Sequence, residues 1–231
     1  MKAAILAGGY GKRLRPLTDT IPKPLIPILG KPILSWQLDW LKANGIKSVV
    51  LLTGYLHDGL IKAAKGLAAT KKMDIEYTIE KTPLGTGGAL RLAEKLLQEE
   101  ENFLLINGDV LTNLSIHKMT LGNNVATMAL VPLRTSFGIA ELKGDKIIGF
   151  REKPILKEHW MNAGVYLLSS GIFDYLPSKG DLEKTAFNAL SWKGLLKGVK
   201  FDSVYWRSID SHKDLEEVAK DLKKIKLTNI H

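Results

Sequence analysis

Residues 6–18 read LAGGYGKRLRPLT, and this glycine-rich segment directly follows the short apolar run of residues 2–7. We interpret that run as a buried strand that stops at the glycines. Glycines after a strand let backbone N–H groups approach phosphate oxygens, and Lys12 and Arg13 add positive charge. The segment therefore predicts a phosphate-binding loop, although a plain glycine-rich turn would follow a strand in the same way.

Two familiar phosphate-binding loops do not match this segment. A P-loop has a glycine, four further residues and then Gly-Lys-Ser/Thr, whereas Leu6 and Arg13 stand at its first and last positions here. A dinucleotide fingerprint that begins at Gly9 and Gly11 requires a third glycine where the chain has Leu14. The phosphate-binding prediction therefore needs support from elsewhere in the chain.

Strand-like and helix-like stretches alternate along the first half of the chain. Apolar and β-branched runs predict strands at residues 2–7, 48–53, 74–80 and 103–106, and helical spacing predicts helices at residues 32–44, 57–66 and 84–99. This rhythm is typical of an α/β fold whose mainly parallel central sheet carries helices on both faces.

The second half is richer in predicted strands, which lie at residues 125–130, 138–142, 146–150 and 163–168. Gly144 and Asp145 indicate a tight turn between two of them. Ser211 begins the final helix with Asp214 as its capping-box partner. The apolar stripe of that helix is Leu215, Val218, Ala219, Leu222 and Ile225. We expect one domain over residues 1–231, with a mixed, partly antiparallel second half.

Composition excludes several classes of function. The 231 residues contain no cysteine, which rules out disulfides, thiolate metal sites and a cysteine nucleophile. No apolar run approaches the roughly 18 residues of a membrane helix, and the N-terminus lacks a signal-peptide layout, so we expect a cytoplasmic protein. The net charge of +9 fits either a polyanionic partner or a lysine-rich surface. Without a nucleic-acid-binding motif, we expect no nucleic-acid partner.

Several further motifs resemble one family over nearly the whole chain. The glycine-rich segment and PKPLIPILGKPIL at residues 22–34 are similar to the N-terminal signature of the sugar-1-phosphate nucleotidyltransferases. That family includes mannose-1-phosphate guanylyltransferases and glucose-1-phosphate thymidylyl- and uridylyltransferases. The resemblance continues through PLGTGGAL at 83–90, NGD at 107–109, FREKP at 150–154 and NAGVY at 162–166. It implies a Rossmann-like nucleotidyltransferase fold with a nucleotide-binding half at 1–114 and a sugar-phosphate-binding half at 115–231.

The resemblance also implies roles for individual residues. Arg13, Lys23, Asp109 and Lys153 are the expected catalytic residues. The expected nucleotide-binding set is Leu6, Ala7, Gly8, Gly9, Gly11, Lys12, Arg13, Lys23, Glu80, Gly85, Thr86, Gly88 and Gly108. The expected sugar-phosphate-binding set is Gly138, Glu152, Lys153, Asn162 and Gly164. Because the chain ends soon after its last predicted helix, we expect no C-terminal β-helix domain.

Asp109 directly follows a buried strand, where ligands of open α/β sheets gather, and its carboxylate suits the Mg²⁺ that we expect as cofactor. Many relatives carry a second metal-binding aspartate two residues after an aromatic residue, but Ser208 occupies that position after Trp206. Asp210, two residues further, could replace it only if the backbone bends, since two strand residues span roughly 7 Å. Its alternative role is an acceptor at the start of the last helix.

The expected substrates are a nucleoside triphosphate and a sugar 1-phosphate. Glu80 slightly favours GTP, because a carboxylate accepts from the adjacent N1–H and N2–H₂ donors of guanine, and small residues at 85–88 would let a flat base lie against the backbone. The alternatives are UTP or dTTP with glucose 1-phosphate, and a non-catalytic subunit that binds sugar nucleotides, which the altered position of the aspartate would explain. We also expect that the chain can form a homo-oligomer.

Overall fold

The computed structural model describes residues 1–135 and 137–224. Its helices are α1 (Ile33–Ala43), α2 (His57–Lys71), α3 (Gly85–Leu92), α4 (Glu94–Leu97), α5 (Ala186–Trp192) and α6 (His212–Lys224). Its strands are β1 (Ala3–Ala7), β2 (Pro27–Ile28), β3 (Lys31–Pro32), β4 (Ser48–Thr53), β5 (Asp74–Ile79), β6 (Asn102–Asn107), β7 (Val110–Thr112), β8 (Ala126–Arg134), β9 (Ile139–Lys143), β10 (Lys146–Arg151), β11 (Ile155–Ser169), β12 (Leu196–Lys200) and β13 (Trp206–Ser208).

A seven-stranded sheet with the order β12-β8-β11-β6-β1-β4-β5 forms the centre of the molecule. Strands β6, β1, β4 and β5 are parallel neighbours. Strand β11 runs antiparallel to both β6 and β8, and β12 is parallel to β8. The predicted α/β fold with a mainly parallel sheet and a mixed second half is therefore confirmed.

Helices cover both faces of this sheet because alternate strand residues point to opposite sides. On one face Ile5 of β1 belongs to the same apolar cluster as Leu38 of α1 and Leu60 of α2. On the other face Ala4 belongs to a cluster with Leu90 of α3 and Leu190 of α5. Burying each large aliphatic side chain contributes roughly 1.5–3 kcal/mol, so these two layers stabilise the sheet from both faces.

Several predicted elements have the expected bounds, and others differ. Helix α1 is one residue shorter at each end than the predicted helix at 32–44, and α2 continues beyond Gly66 to Lys71. The helix predicted at residues 84–99 is divided into α3 and α4, because Ala93 leaves helical geometry and its N–H bonds to Leu90 O. Strand β11 begins eight residues before the predicted strand at 163–168, and α5 and β12 were not predicted.

The last helix begins as predicted. Asp214 Oδ2 accepts from Ser211 N at 2.7 Å, and Asp214 N donates to Ser211 Oγ at 3.3 Å, which confirms the capping box. Val218 and Leu222 are buried against β2 and the start of α1, whereas Ile225 lies outside the described residues. In the described part of the chain, no helix combines the length and the apolarity needed to cross a bilayer.

Candidate active site

The glycine-rich segment leaves the sheet between two parallel neighbours of β1, at the carboxyl ends of the strands. Gly11 has a φ of 60°, and a Cβ there would lie 2.8 Å from Thr18 Cγ2. The Thr18 hydroxyl donates to Gly11 O at 3.0 Å, and a short 3₁₀ helix, Lys12–Leu14, follows. The local sequence therefore folds into a tight loop that needs glycine at position 11.

The turn after β6 carries Asp109 and lies directly against the end of β1. Gly108 N donates to Leu6 O at 3.0 Å, and a Cβ at Gly108 would lie 2.2 Å from that oxygen. Only glycine allows this approach of the two backbones. The arrangement sets Asp109 beside the glycine-rich loop, as its place in the sequence suggested.

Lys23 joins two carboxylates at the centre of the site. Its Nζ atom lies 2.7 Å from Asp109 Oδ2 and 3.2 Å from Asp210 Oδ1. Lys23 starts a short 3₁₀ helix after Pro22, and its side chain is only 15% exposed. Arg13, whose side chain is 76% exposed, reaches the same Asp210 oxygen at 3.1 Å. Two basic residues of the opening segment thus meet two carboxylates that come from distant parts of the sequence.

Asp210 comes close to Asp109 because the chain before it runs antiparallel to the segment that follows Asp109. Strand β13 stops at Ser208, which pairs with Val110, and Ile209 N then donates to Asp109 O at 2.9 Å. This hydrogen bond continues the register of the β13–β7 pair by one residue, so pairing with the Asp109 turn brings Asp210 next to Asp109. Asp214, rather than Asp210, supplies the acceptor at the start of α6, and it also receives the Asp210 N–H at 3.0 Å.

The Asp210 carboxylate is held in its ionised form. Partial burial alone would raise the pKa of Asp210, but the Ser208 hydroxyl, which donates to Oδ2 at 2.7 Å, and the charges of Lys23 and Arg13 outweigh it. The pKa of Asp210 therefore lies below its ordinary value. Ser208, which stands at the expected aspartate position, thus acts on the carboxylate two residues later.

A cleft of about 450 Å³ opens beside this group. The predicted residues that line it are Leu6, Ala7, Gly8, Gly9, Gly11, Lys12, Arg13, Lys23, Glu80, Gly85, Thr86, Gly108, Asp109 and Asp210. Lining residues that were not predicted are Tyr10, Pro24, Leu52, Pro83, Ala89, Asn107 and Asp181. Most of these lie inside the quoted motifs and could have been found there, whereas Leu52 and Asp181 carried no local signal.

Glu80 lines the same cleft as Asp109 and follows strand β5. Its Oε2 accepts from Leu84 N at 2.9 Å. Its Oε1 would be 2.1 Å from a Cβ at Gly8 and 2.7 Å from a Cβ at Gly54. Both glycines therefore make room for this carboxylate, which remains partly accessible.

The glycines at the start of α3 pack against another segment of the same chain, residues 177–180. A Cβ at Gly88 would lie 2.8 Å from Ser178 O, and one at Gly87 would lie 2.9 Å from Pro177 Cδ. Gly87 N also donates to Gly180 O at 3.0 Å. Gly88 is therefore covered by the segment 177–180 and does not reach the cleft, whereas Gly85 and Thr86 line it.

None of the described residues that line the cleft belongs to the predicted sugar-phosphate-binding set. Glu152 and Lys153 form an exposed ion pair of 3.6 Å after strand β10. A Cβ at Gly138 would meet the Phe150 ring at 2.4 Å. The structure thus places Gly138, Glu152 and Lys153 together at the β9–β10 hairpin, outside the lining of the cleft.

Asn162 and Gly164 lie at an irregular point of β11. Asn162 Oδ1 accepts from Gly164 N at 2.9 Å, and a Cβ at Gly164 would be 2.7 Å from Nδ2 of Asn107, a residue that lines the cleft. Asn162 Nδ2 donates to the Tyr166 hydroxyl at 2.7 Å. Burial raises the pKa of Tyr166, and the nearby Glu183 carboxylate raises it further.

Glu183 binds Thr86, a residue that lines the cleft. The Thr86 hydroxyl donates to Glu183 Oε2 at 2.8 Å and accepts from Leu182 N at 2.8 Å. At the start of α3, the Thr86 hydroxyl is therefore held between Glu183 and the backbone of Leu182.

The carboxylates fit a magnesium site that is shared with a ligand. Asp109 and Asp210 offer hard oxygen atoms within hydrogen-bond distance of one ammonium, so they lie close together. Among residues 1–135 and 137–224, no group of three or more histidine, cysteine, aspartate or glutamate side chains could hold a metal ion. Mg²⁺ is usually bound through one or two carboxylates plus substrate phosphates, so two carboxylates are sufficient.

A parallel sheet with a glycine-rich loop and carboxylates at its carboxyl ends is the arrangement of nucleotide-binding α/β proteins. Residues 2–225 match the Nucleotidyl transferase family, and the chain belongs to this family. It is 34% identical over 225 residues to the mannose-1-phosphate guanylyltransferase catalytic subunit beta of Xenopus tropicalis, with 93% of this chain and 62% of that protein covered. The chain therefore spans about three fifths of the length of that curated relative.

Two further proteins show how widely the similarity extends. The chain is 35% identical over 219 residues to the bifunctional protein GlmU of Methanococcus maripaludis, with 90% of this chain and 51% of GlmU covered. The crystal structure of HddC from Yersinia pseudotuberculosis complexed with GMP-PN has a TM-score of 0.74 and 27% identity, covering 96% of this chain and 99% of HddC. The whole described fold is thus that of the family.

Proposed function

We propose that the chain transfers a nucleotidyl group from a nucleoside triphosphate to a sugar 1-phosphate and releases pyrophosphate, with Mg²⁺ as cofactor. The observation that carries this proposal is the meeting of Lys23, Asp109 and Asp210 beside the glycine-rich loop, in one cleft. Family membership supports the reaction class. The same proposal includes a cytoplasmic location and small phosphorylated ligands, rather than nucleic acid, as the partners of the positive charge.

The reaction brings two anions together, and the cleft offers groups suited to this task. A sugar-phosphate oxygen attacks the α-phosphorus, a new P–O bond forms, and the bond to the β-phosphate breaks as pyrophosphate leaves. Held about 6 Å apart in water, a triphosphate and a monoester phosphate repel each other by roughly 5 kcal/mol. Lys12, Arg13 and Lys23 line the cleft and would offset this repulsion. No covalent nucleophile is needed.

Asp109 and Asp210 are the residues that would hold the metal ion. When bound, Mg²⁺ neutralises phosphate charge and makes the α-phosphorus more susceptible to attack. Lys23 lies between the two carboxylates, and its positive charge offsets their mutual repulsion. The backbone N–H groups of the glycine-rich loop are suited to bind the phosphate oxygens.

GTP and a mannose-type sugar phosphate are the proposed substrate pair. Glu80 supports the choice of guanine, because its partly accessible carboxylate lines the cleft and can accept from adjacent donors. The mannose-1-phosphate guanylyltransferase relatives and the HddC complex with GMP-PN support the same choice. For the sugar phosphate, Asn162 and Gly164 are the proposed contacts nearest to the cleft, and Gly138, Glu152 and Lys153 would approach from the β9–β10 hairpin.

The experiment that tests this proposal is a panel of donors and acceptors. The purified chain is incubated with Mg²⁺, each nucleoside triphosphate and several sugar 1-phosphates, and pyrophosphate release is measured. We expect the highest rate with GTP and mannose 1-phosphate. A higher rate with UTP or dTTP and glucose 1-phosphate would support the alternative pair. Tight ligand binding without pyrophosphate from any pair would favour a non-catalytic subunit, which the serine at position 208 suggests. Light scattering of the same sample tests self-association.

A further inference from the structure

Gln37 is a buried polar residue on the apolar side of α1. Only 2% of the residue is exposed, and it lies among the residues that pack α1 against the sheet. Both hydrogens of its Nε2 are used, because this atom lies 3.0 Å from Asn107 O and 2.9 Å from Val110 O. Since both partners are carbonyl oxygens, the amide can bind them only with its nitrogen turned toward them.

The two acceptors of Gln37 flank Asp109. Asn107 ends β6, and Val110 begins β7, so the turn that carries Asp109 lies between the two hydrogen bonds. The same turn is held at Gly108 N by Leu6 O and at Asp109 O by Ile209 N. Gln37 therefore ties this turn to helix α1 at both of its ends.

Burying Gln37 is partly unfavourable, because it removes a polar oxygen atom from water. Its Oε1 atom is buried and accepts no hydrogen bond from the described residues. An unpaired buried acceptor destabilises a fold, and an apolar side chain of similar size would avoid that penalty. The two donor bonds to the Asp109 turn are thus the interactions for which an amide is required at position 37.

We infer that Gln37 is a positioning residue that holds the backbone of the turn at residues 107–110, and with it the Asp109 carboxylate, in the orientation that binds the metal ion and the nucleotide phosphates. Within this turn only Asp109 carries a carboxylate. The inference rests on the proposed function, because it assigns an orienting role toward the proposed metal ligand. Residues behind a metal ligand act in this way through the geometry of the ligand.

Gln37→Met tests the inference, since methionine has a similar volume and no donor. Mn²⁺ binding in the presence of a non-hydrolysable GTP analogue is measured by electron paramagnetic resonance. We expect Mn²⁺ to bind about 10- to 100-fold more weakly than to the unaltered chain. The control is Trp40→Phe, which removes the hydrogen bond from Trp40 Nε1 to Leu114 O at 2.9 Å on the same helix. The control is expected to bind Mn²⁺ as the unaltered chain does.

The outcomes separate the inference from the proposed function. Wild-type Mn²⁺ binding by a folded Gln37→Met variant, with binding lost in Asp109→Asn, overturns the inference alone, as does an equal loss in Trp40→Phe. Unchanged binding in Asp109→Asn overturns the proposed metal role. Weakened binding in Gln37→Met and Asp109→Asn, but not in Trp40→Phe, supports the inference. If the melting curve shows that Gln37→Met does not fold, Gln37→Asn replaces it, because a shorter amide cannot reach both carbonyl oxygens.

Discussion

At the scale of single residues, the neighbours of each carboxylate determine which kind of ligand it can bind. Asp109 and Asp210 already share the Lys23 ammonium, whereas Glu80 uses one oxygen for the Leu84 N–H and turns the other toward Gly8 and Gly54. The first two carboxylates suit a cation, and the third suits a hydrogen-bond donor of a nucleobase. Chemically identical groups thus have different proposed roles because their neighbours differ.

The role of Glu80 leads to a prediction about base selection. Glu80→Gln can keep an oxygen for Leu84 N, but it replaces the other oxygen by an NH₂ group that cannot accept from guanine. Hydrogen bonds to charged groups contribute roughly 1.5–3 kcal/mol, so kcat/KM for GTP should fall about 10- to 100-fold. The value for UTP should change much less. The control is Glu76→Gln on strand β5, which alters a carboxylate that pairs with Lys2 at 2.9 Å. Equal losses for GTP and UTP would contradict the assignment.

At the scale of elements, the start of α3 is determined by what packs against it. Gly88 is buried and faces Ser178 O, whereas Gly66 in α2 is exposed and has no atom near its Cβ position. Both glycines lie inside helices, so local propensity alone would treat them alike. Only the packing of segment 177–180 distinguishes them.

Alanine substitutions at these two glycines should have opposite effects. Gly88→Ala should lower the free energy of unfolding by about 1–3 kcal/mol, because the new methyl group overlaps the Ser178 carbonyl. Gly66→Ala should raise it by about 0.5–1 kcal/mol, since alanine loses less backbone entropy in a helix. Urea denaturation of the two variants measures both values. Similar stability changes of the same sign would show that the segment does not pack on α3 as described.

Another element contact makes stability depend on pH. Asp39 of α1 binds both Lys31 of β3 and Lys71 at the end of α2. Partial burial would raise the pKa of Asp39, but the hydrogen bonds and charges of the two lysines outweigh it and lower the pKa below its ordinary value of 3.8. A lowered folded-state pKa stabilises the fold above the ordinary pKa, and this stabilisation disappears as the pH falls through the folded value.

Asp39→Asn should therefore be less stable than the unaltered chain at neutral pH and equally stable in strong acid. The side chain is more than a third exposed, so solvent screening limits the loss to about 1 kcal/mol per ion pair. Thermal unfolding from neutral pH down to below pH 3.8 checks the convergence. Asp58→Asn, at a side chain that is 98% exposed on α2, should show no comparable difference. A constant difference between Asp39→Asn and the unaltered chain at every pH would contradict the account.

At the scale of the whole molecule, the parts that sequence could predict are those with a local cause. Strands β1 and β4, helix α1 and the capped start of α6 follow from apolar runs and end signals within a few residues. The glycine-rich loop and Asp109 follow in the same way from their place after strands. These features required no knowledge of distant parts of the chain.

The remaining features depend on contacts between distant segments. From the sequence, Gly88 could contact either a nucleobase or another segment of the chain. Only the position of Ser178 decides between these two contacts. Asp181 enters the cleft on a segment without a recognisable pattern, and Gln37 meets residues 107 and 110 although they lie about 70 positions further along the chain. The position of Asp210 beside Lys23 also results from the antiparallel pairing of β13 with β7, whose register continues to residues 209 and 109. A single sequence does not show which of these distant segments contact one another.

The proposed metal site can be located in a crystal structure of the chain with Mn²⁺ and a non-hydrolysable GTP analogue. The anomalous signal of manganese locates the metal ion independently of the nucleotide. We expect this signal between the carboxylates of Asp109 and Asp210, with the triphosphate along the glycine-rich loop and the base toward Glu80. A manganese signal away from both carboxylates, or a nucleotide bound outside the cleft, would contradict this expectation.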